Sequence, residues 1–454
     1  MQIQLARQPW YAVITLICAA ILIASCGGAG GDTAATTDQS STEGSGDTVA
    51  NGEQVTLRWY MRWDQARLDS VATPVIEAFE EQNPNINIEI ENVGSGSEYW
   101  TKLQTMIAGN TAPDIIYPAT HQAYALASKG ALVNLDTYIE QDGVDMTQYD
   151  PAILDLYTYE EGVYGLPLDT AALAVFYNKN MFDEAGLEYP AEGWTWDDFL
   201  TTAQALSQDT DGDGRTDQFG VDDWTAYWPV IVWSNTGHGI FDDLRQPTSW
   251  LLSEPESVEA IQWLSDLSNE HGVMPTVEER ADISDMFVAN KTGMKIIGHW
   301  RVRQYMENVE DFEWDIAPLP QGEIVANRSD GSAFAVTTQS EHPEEAWQFI
   351  KFLAGPESFG VDLLLDLQQM TPALTEFQQA EEFLNPESLP GVNKEAFLSG
   401  QENLFPMYDP IHPVYDEIET IQNSELAELW NGNVTAQEAV ERMQPQIEQI
   451  LGGM

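Results

Sequence analysis

The sequence predicts an α/β protein of two lobes, each a mainly parallel sheet flanked by helices, and three observations carry that prediction. Apolar residues alternate between the two-residue period of strands and the 3.6-residue period of helices, and the pattern restarts after Leu168. The chain has 454 residues, 43% of them hydrophobic, whereas a single core rarely grows beyond about 250–300 residues. Strands that alternate with helices build sheets covered on both faces.

Residues 55–60 are rich in β-branched and aromatic side chains and read as a strand. Val71, Val75, Ile76, Ala78 and Phe79 share one helical face, and Asn83-Pro84-Asn85 ends that helix before the alternating strand of Ile86, Ile88 and Ile90. An amphipathic helix follows at 100–108, then a short buried strand at 114–117 and a helix at 123–129 capped by Gly130. Beyond Gly165-Leu166-Pro167-Leu168, residues 172–177 read as a second apolar strand, and 194–199 as the start of a helix with Thr195 as its N-cap. The last clear helices are 343–354, with Ala346, Trp347, Ile350 and Leu353 on one stripe, and 436–451. Ligands of such sheets sit at the carboxyl ends of strands, which makes 61–64 and 118–122 candidate walls of a site.

The chain carries 18 basic against 74 acidic residues, a net charge of −56. That surface repels phosphates and anionic lipid heads, so nucleic acid is excluded as a partner. Both cysteines, Cys18 and Cys26, fall within the first 26 residues, leaving no disulfide, thiolate nucleophile or cysteine metal site for the folded body. HExxH, GxSxG and glycine-rich phosphate-loop motifs are missing. The chain reads as no enzyme and needs no catalytic cofactor; a secreted glycoside hydrolase, which requires only two suitably spaced acids, is the enzymatic alternative.

Residues 1–25 hold one charge, Arg7, then an apolar run ending in the small Ala24 and Ser25, the pattern of an export signal. The run spans about 15 residues, short of the roughly 20 that cross a bilayer. Leu22-Ile23-Ala24-Ser25-Cys26-Gly27 resembles the bacterial lipobox, which implies cleavage before Cys26, acylation of that cysteine, and an extracytoplasmic protein held to the cell membrane by lipid. Residues 26–53 then form a lipidated cysteine and a polar leash without aromatics, of root-mean-square reach about 30 Å.

Asp209-Thr210-Asp211-Gly212-Asp213-Gly214-Arg215-Thr216-Asp217 places acids at loop positions 1, 3, 5 and 9 and glycine at 6, with Arg215 at position 7 supplying a backbone carbonyl. This spacing folds oxygen ligands around Ca2+, and a structural calcium is expected. Gly220 stands where a bidentate Glu belongs, so Asp222, Asp223 or a distant acid has to complete the shell.

Several segments occur in a telling order: Ala112-Pro113-Asp114-Ile115-Ile116, Val163-Tyr164-Gly165-Leu166-Pro167, Phe176-Tyr177-Asn178-Lys179 with Phe182 and Ala185-Gly186-Leu187, Lys291-Thr292-Gly293-Met294 with Gly298-His299-Trp300, and the helix at 343–353. Together they resemble the extracellular solute-binding proteins of family 1, the group that includes maltose- and oligosaccharide-binding proteins of ABC importers, over roughly 54–451. The resemblance implies a two-lobe, type II periplasmic-binding-protein-like fold. Lobe 1 would be 54–168 plus 318–356 and lobe 2 would be 169–317 plus 357–454, with crossings near 166–168 and 317–320. It further implies a monomer that closes on a small solute, most simply a mono- or oligosaccharide, and hands it to ABC transporter permease subunits. A polyamine or a phosphate ester is the non-sugar alternative.

A sugar offers an apolar C–H face and a rim of hydroxyls, so its site needs flat aromatic rings and groups that both donate and accept hydrogen bonds. Trp300 follows Gly298-His299 where sugar-binding relatives place a stacking tryptophan. The segment 223–229 resembles another ligand loop of the family and gathers Asp223, Trp224, Tyr227 and Trp228. In the first lobe, Trp63 and Asp64 follow one strand, and Thr120, His121 and Gln122 follow another. Asp169 and Thr170 lie at the first crossing, although Ala171 occupies the position of an acidic contact in some relatives. Arg301 and Arg303, beside Trp300, suit a hydroxyl or a carboxylate, and facing the cleft they would favour an acidic sugar such as a uronate.

Overall fold

A computed structural model describes residues 54–93 and 98–454. The export signal, Cys26 and the leash lie outside the described residues, among which no helix is long and apolar enough to cross a membrane. Among the described residues fourteen strands follow in chain order: β1 (Val55–Met61), β2 (Ile86–Asn92), β3 (Ile115–Ile116), β4 (Thr158–Tyr159), β5 (Gly162–Val163), β6 (Leu166–Thr170), β7 (Leu173–Asn178), β8 (Phe219–Val221), β9 (Thr292–Gly298), β10 (Trp314–Ala317), β11 (Asn327–Arg328), β12 (Gly331–Val336), β13 (Thr371–Pro372) and β14 (Leu404–Phe405).

Two larger sheets organise the body. The first has the order β13-β6-β12-β3-β1-β2 and the second β10-β7-β9-β8. Both are mixed, where mainly parallel sheets were expected. In the first, β1 runs parallel to β2 and β3, but β12 is antiparallel to β3 and β6, and β13 to β6. In the second, β7 is antiparallel to β9 and β10, and only β8 and β9 are parallel. The reason is connectivity: a helical crossover within one sheet forces parallel neighbours, whereas β7 and β12 arrive from the other sheet and are free to insert the opposite way.

Each sheet carries its own core. Under the first, Trp59 makes edge contacts with Trp63, Phe334 and Phe349, and the stripe of Ala346, Trp347, Ile350 and Leu353 on the helix Pro343–Ala354 packs there as its periodicity predicts. In the second, alternation sends Leu173, Val175 and Tyr177 into one cluster and Ala174 and Phe176 into another, so β7 is covered on both faces. Thr195 caps the helix Trp196–Leu206 as expected: its Oγ1 accepts from Asp198 N at 3.2 Å while Asp198 Oδ2 accepts from Thr195 N at 2.9 Å.

The chain passes between the sheets three times, and two boundaries differ from those expected. Residues 171–172 make the first crossing, from β6 to β7. The second lies at 327–330 rather than at 317–320, because Leu319 and Ala326 belong to the second core and Pro318 O accepts from Trp194 Nε1 at 2.9 Å. The third lies between Leu384 and Leu389, later than the switch placed at 357: Val361, Leu364, Met370, Phe383 and Leu384 pack against the first sheet, Leu389, Val392, Ala396 and Phe397 against the second, and Ile411 reaches back to the first core. A short β11–β14 ladder braces the second crossing.

Candidate ligand-binding site

The register of the two sheets brings their edges together at the first crossing. Thr170, at the end of β6, pairs with Gly331, and Leu173, at the start of β7, pairs with Gly298. The carboxyl ends of β1, β3 and β6 thus face the turn after β9. Contacts span the gap: Arg245 bonds the Asp155 carboxylate at 2.8 Å, Trp100 Nε1 donates to Asp416 at 3.1 Å, and the His121 ring lies 4.5 and 4.6 Å from those of Tyr408 and Tyr415.

On the first wall, the Arg67 guanidinium stacks 4.2 Å over Trp63 and approaches Asp169 at 3.8 Å. Asp169 Oδ1 accepts from Ser332 N at 2.7 Å, and burial holds its carboxyl above the ordinary range despite Arg67. The Tyr117 hydroxyl meets Ser332 Oγ, and that of Tyr157 donates to Gly331 O at 2.9 Å. Burial, reinforced by Arg62, pulls His121 down to about 3. Asp416 stands 3.6 Å from its Nε2, but that carboxylate is 50% exposed and solvated, so burial decides and the imidazole is neutral. His121 Nδ1, Thr120 Oγ1 and two nitrogens of Arg67 are buried without a hydrogen-bond partner among the described residues, a set able to take sugar hydroxyls.

On the second wall, the Trp300 ring folds across Gly298 so closely that a Cβ there would lie 1.8 Å from it, which explains the glycine. Arg328, buried at the second crossing, lies 5.7 Å from the Trp300 ring and 5.8 Å from that of Tyr227. Burial opposes its charge, but Asp330, which accepts from its Nε at 2.9 Å, outweighs that and raises its pKa. A cavity of about 430 Å3 opens here, lined in part by Tyr227, Trp228, Arg328, Tyr408, Tyr415 and Glu419. That volume lies within the range of small-molecule sites.

Several expected contacts serve other purposes. Trp224 is 1% exposed and packs against Phe199 and Trp263, so it is a core residue; the sequence shows an aromatic after a strand but not which way the turn throws it. Asp223 pairs with Arg280 and accepts from Thr225 N at 3.0 Å. Asp64 caps the turn Gln65–Arg67, and Gln122 Oε1 accepts from Ala119 N at 3.1 Å. Trp63, 3% exposed, is the floor beneath Arg67. Thr170 lies half-buried at the crossing. Arg301 hydrogen-bonds Gln304, while Arg303 pairs with Glu307 along its helix at 2.8 Å. Arg62, Arg67, Tyr117, Tyr157, Arg328, Asp330 and Tyr408 were not singled out from sequence. One signal existed: Asn327-Arg328-Ser329-Asp330, polar residues running straight into an apolar strand, are all buried.

In the acidic loop, Asp209, Asp211 and Asp213 each present a carboxylate oxygen within 4.8 Å of the others, all exposed. Backbone N–H groups of Gly212 and Gly214 donate to Asp209 at 2.6 and 2.8 Å, and that of Arg215 donates to Asp213 at 2.8 Å. Asp217, expected as a ligand, is instead bound to Thr210 N and Oγ1, which hold its carboxyl below the usual range. Asp222 and Asp223 do not complete the shell, being committed to Lys295 and Arg280, and Gly220 lies against the Ala203 backbone.

Two α/β bodies joined by three crossings, with aromatic and hydrogen-bonding groups on their facing edges, define a type II solute-binding protein. Residues 62–358 match the profile of the bacterial extracellular solute-binding protein family, and the chain belongs to that family. It is 28% identical over 289 residues to a binding protein of Brucella abortus, covering 62% of this chain and 67% of that one. It is 27% identical over 266 residues to the arabinooligosaccharide-binding protein of Bacillus subtilis, covering 56% and 58%. Among solved structures, an ABC substrate-binding protein of Listeria monocytogenes in complex with cycloalternan aligns with a TM-score of 0.78 at 25% identity, over 88% of this chain and 100% of that one.

Proposed function

We propose that the chain is the carbohydrate-capturing subunit of an ABC importer, anchored outside the cytoplasm through acylated Cys26 and acting as a monomer that delivers its ligand to the permease without chemically altering it. The observation that carries this reading is the surround of buried Arg328 beside the cavity of about 430 Å3, where the rings of Trp300 and Tyr227 lie 5.7 and 5.8 Å from its guanidinium: rings for the C–H face of a sugar and a donor for its hydroxyls, with further unpartnered polar atoms on Arg67, Thr120 and His121. The relatives named for oligosaccharide binding and the cycloalternan complex support it. The two sheets, with their helices, act as lobes that hinge at 171–172, 327–330 and 385–388. Asp209, Asp211 and Asp213, completed by backbone carbonyl and water oxygens, hold a structural Ca2+ remote from this chemistry.

Isothermal titration against a panel of mono- and oligosaccharides tests the function. At least one binds at micromolar or tighter affinity, about −8 kcal/mol, and Trp300→Ala weakens it more than tenfold. Turnover of the saccharide, or binding indifferent to the Trp300 ring, contradicts the reading.

A further inference from the structure

Lys394 lies just past the third crossing, is 1% exposed, and reaches from the second body into the first. Its turn, Lys394–Leu398, joins the second body through Ala396 and Phe397. Its Nζ donates to Gln368 Oε1 and stands 4.3 Å from the centre of the Phe383 ring. Phe383 is part of the first core. Gln368 is tied to the same body through its Nε2, which donates to Leu365 O at 2.6 Å and Glu382 O at 3.2 Å. His299, in the turn after β9, shares this pocket: its ring lies 5.4 and 4.8 Å from those of Phe383 and Phe397, and neither of its nitrogens has a partner among the described residues. No carboxylate pairs with Lys394 among the described residues. Asp315, on β10 beside the turn, is committed to Asn393 N at 2.7 Å and the Tyr177 hydroxyl at 3.2 Å. Asp362 and Asp366 on the helix before Gln368, Glu381 and Glu382 on the helix of Phe383, Glu387 in the crossing, and Glu395 are exposed. Arg301, after His299, hydrogen-bonds Gln304. Burial, with the charge of Lys394 added, holds His299 well below its ordinary range, so the imidazole is neutral, and burial draws Lys394 down to about 7.

One amide oxygen and one aromatic face return only part of the hydration that a buried ammonium loses. Gln368 and Phe383 ride on one lobe and Lys394 on the other, so opening about 385–388 draws them apart and admits water to Nζ, whereas closing strips it. We propose that Lys394 couples the hinge to protons: it is charged while the cleft is open and gives its proton to solvent when the lobes close on a solute, so that alkaline surroundings favour capture and acidic ones release. This rests on the reading of two hinging lobes and adds a proton to their equilibrium. The closed form binds that proton more weakly than the open one. Rising pH therefore favours closure from about 7, the closed value, up to the ordinary lysine value of about 10.4, and affinity is nearly level below 7. Asp409, which also titrates near 7, bonds only within the second body, so substitution of Lys394 separates the two.

Isothermal titration of the full protein with arabinotriose, maltotriose and cycloalternan, in buffers of different ionisation enthalpy at about pH 6, 7 and 8.5, reads affinity and proton release together. For a saccharide that binds, affinity should change only about twofold from pH 6 to 7 and rise about tenfold from pH 7 to 8.5, where about one proton leaves per saccharide bound. Lys394→Met should bind more tightly than the parent at pH 7 and lose both the rise and the proton. Lys394→Arg, which stays charged, should lose them too and bind more weakly than the parent at pH 8.5. A parent profile that is level between pH 7 and 8.5, or an undiminished rise and proton release in Lys394→Met, overturns the proposal. Should neither variant fold, the parent's carbon-13 lysine spectra decide: one lysine must move from ordinary titration to near 7 on saturation, and its failure to move overturns the coupling. Failure of all three saccharides counts against the saccharide reading instead. Scattering from the ligand-free protein then decides the coupling, since the radius of gyration should fall from about pH 7 to 9.5 in the parent but not in Lys394→Met, and a radius indifferent to pH overturns it.

Discussion

Asp409 is 7% exposed, and its Oδ2 accepts from Ile240 N and Phe241 N at 2.6 and 3.2 Å while Oδ1 has no partner. Burial pushes its carboxyl up to about 7, more than the two N–H donors pull it down. Since the folded pKa is raised, the folded state keeps its proton where the unfolded chain has lost it. Stability from this group is full below about pH 4 and declines as pH rises toward 7, staying low above it. Asp409→Asn keeps an acceptor for both N–H groups and cannot ionise. Thermal melts should show the variant exceeding the parent by about 5 °C at pH 8, with the gap closing by pH 4; a gap independent of pH contradicts the assignment. Such a buried acid is not legible in Tyr408-Asp409-Pro410, where nothing local distinguishes it from the many solvated acids around it. The place of Trp300 in the turn after β9 was legible in Gly298-His299-Trp300, and its ring folds over that glycine.

At the scale of elements, stretches whose stability is local were read correctly. The helix Pro343–Ala354 has its apolar stripe, and Trp196–Leu206 its capping box. What failed was pairing at a distance: β13 is two residues long, and β12 takes its direction from a crossing rather than from its own composition. The acidic loop was half legible, its three clustered aspartates found and Asp217 wrongly included, because spacing cannot foresee that Thr210 would claim it. If the trio holds Ca2+, the ion at about 100 times its dissociation constant adds roughly 2.7 kcal/mol. Melting should then rise with calcium and fall with chelator in the parent and respond to neither in Asp211→Ala with Asp213→Ala. A parent protein indifferent to calcium contradicts the site.

At the scale of the whole body, the two-lobed plan was readable because chain length and the restart of the strand–helix pattern are global features, whereas the crossing points depend on which core claims each segment. Contacts already join the facing edges, among them Arg245 with Asp155 and Trp100 with Asp416, and their side chains are largely exposed, so each is worth little alone. With no ligand buried between the lobes, the hinge is expected to open in solution. The central claim is closure around a bound saccharide. Small-angle X-ray scattering on the protein with and without a saccharide that binds it tests this most directly: the radius of gyration should shrink on saturation, and superimposable profiles at saturating ligand would contradict it.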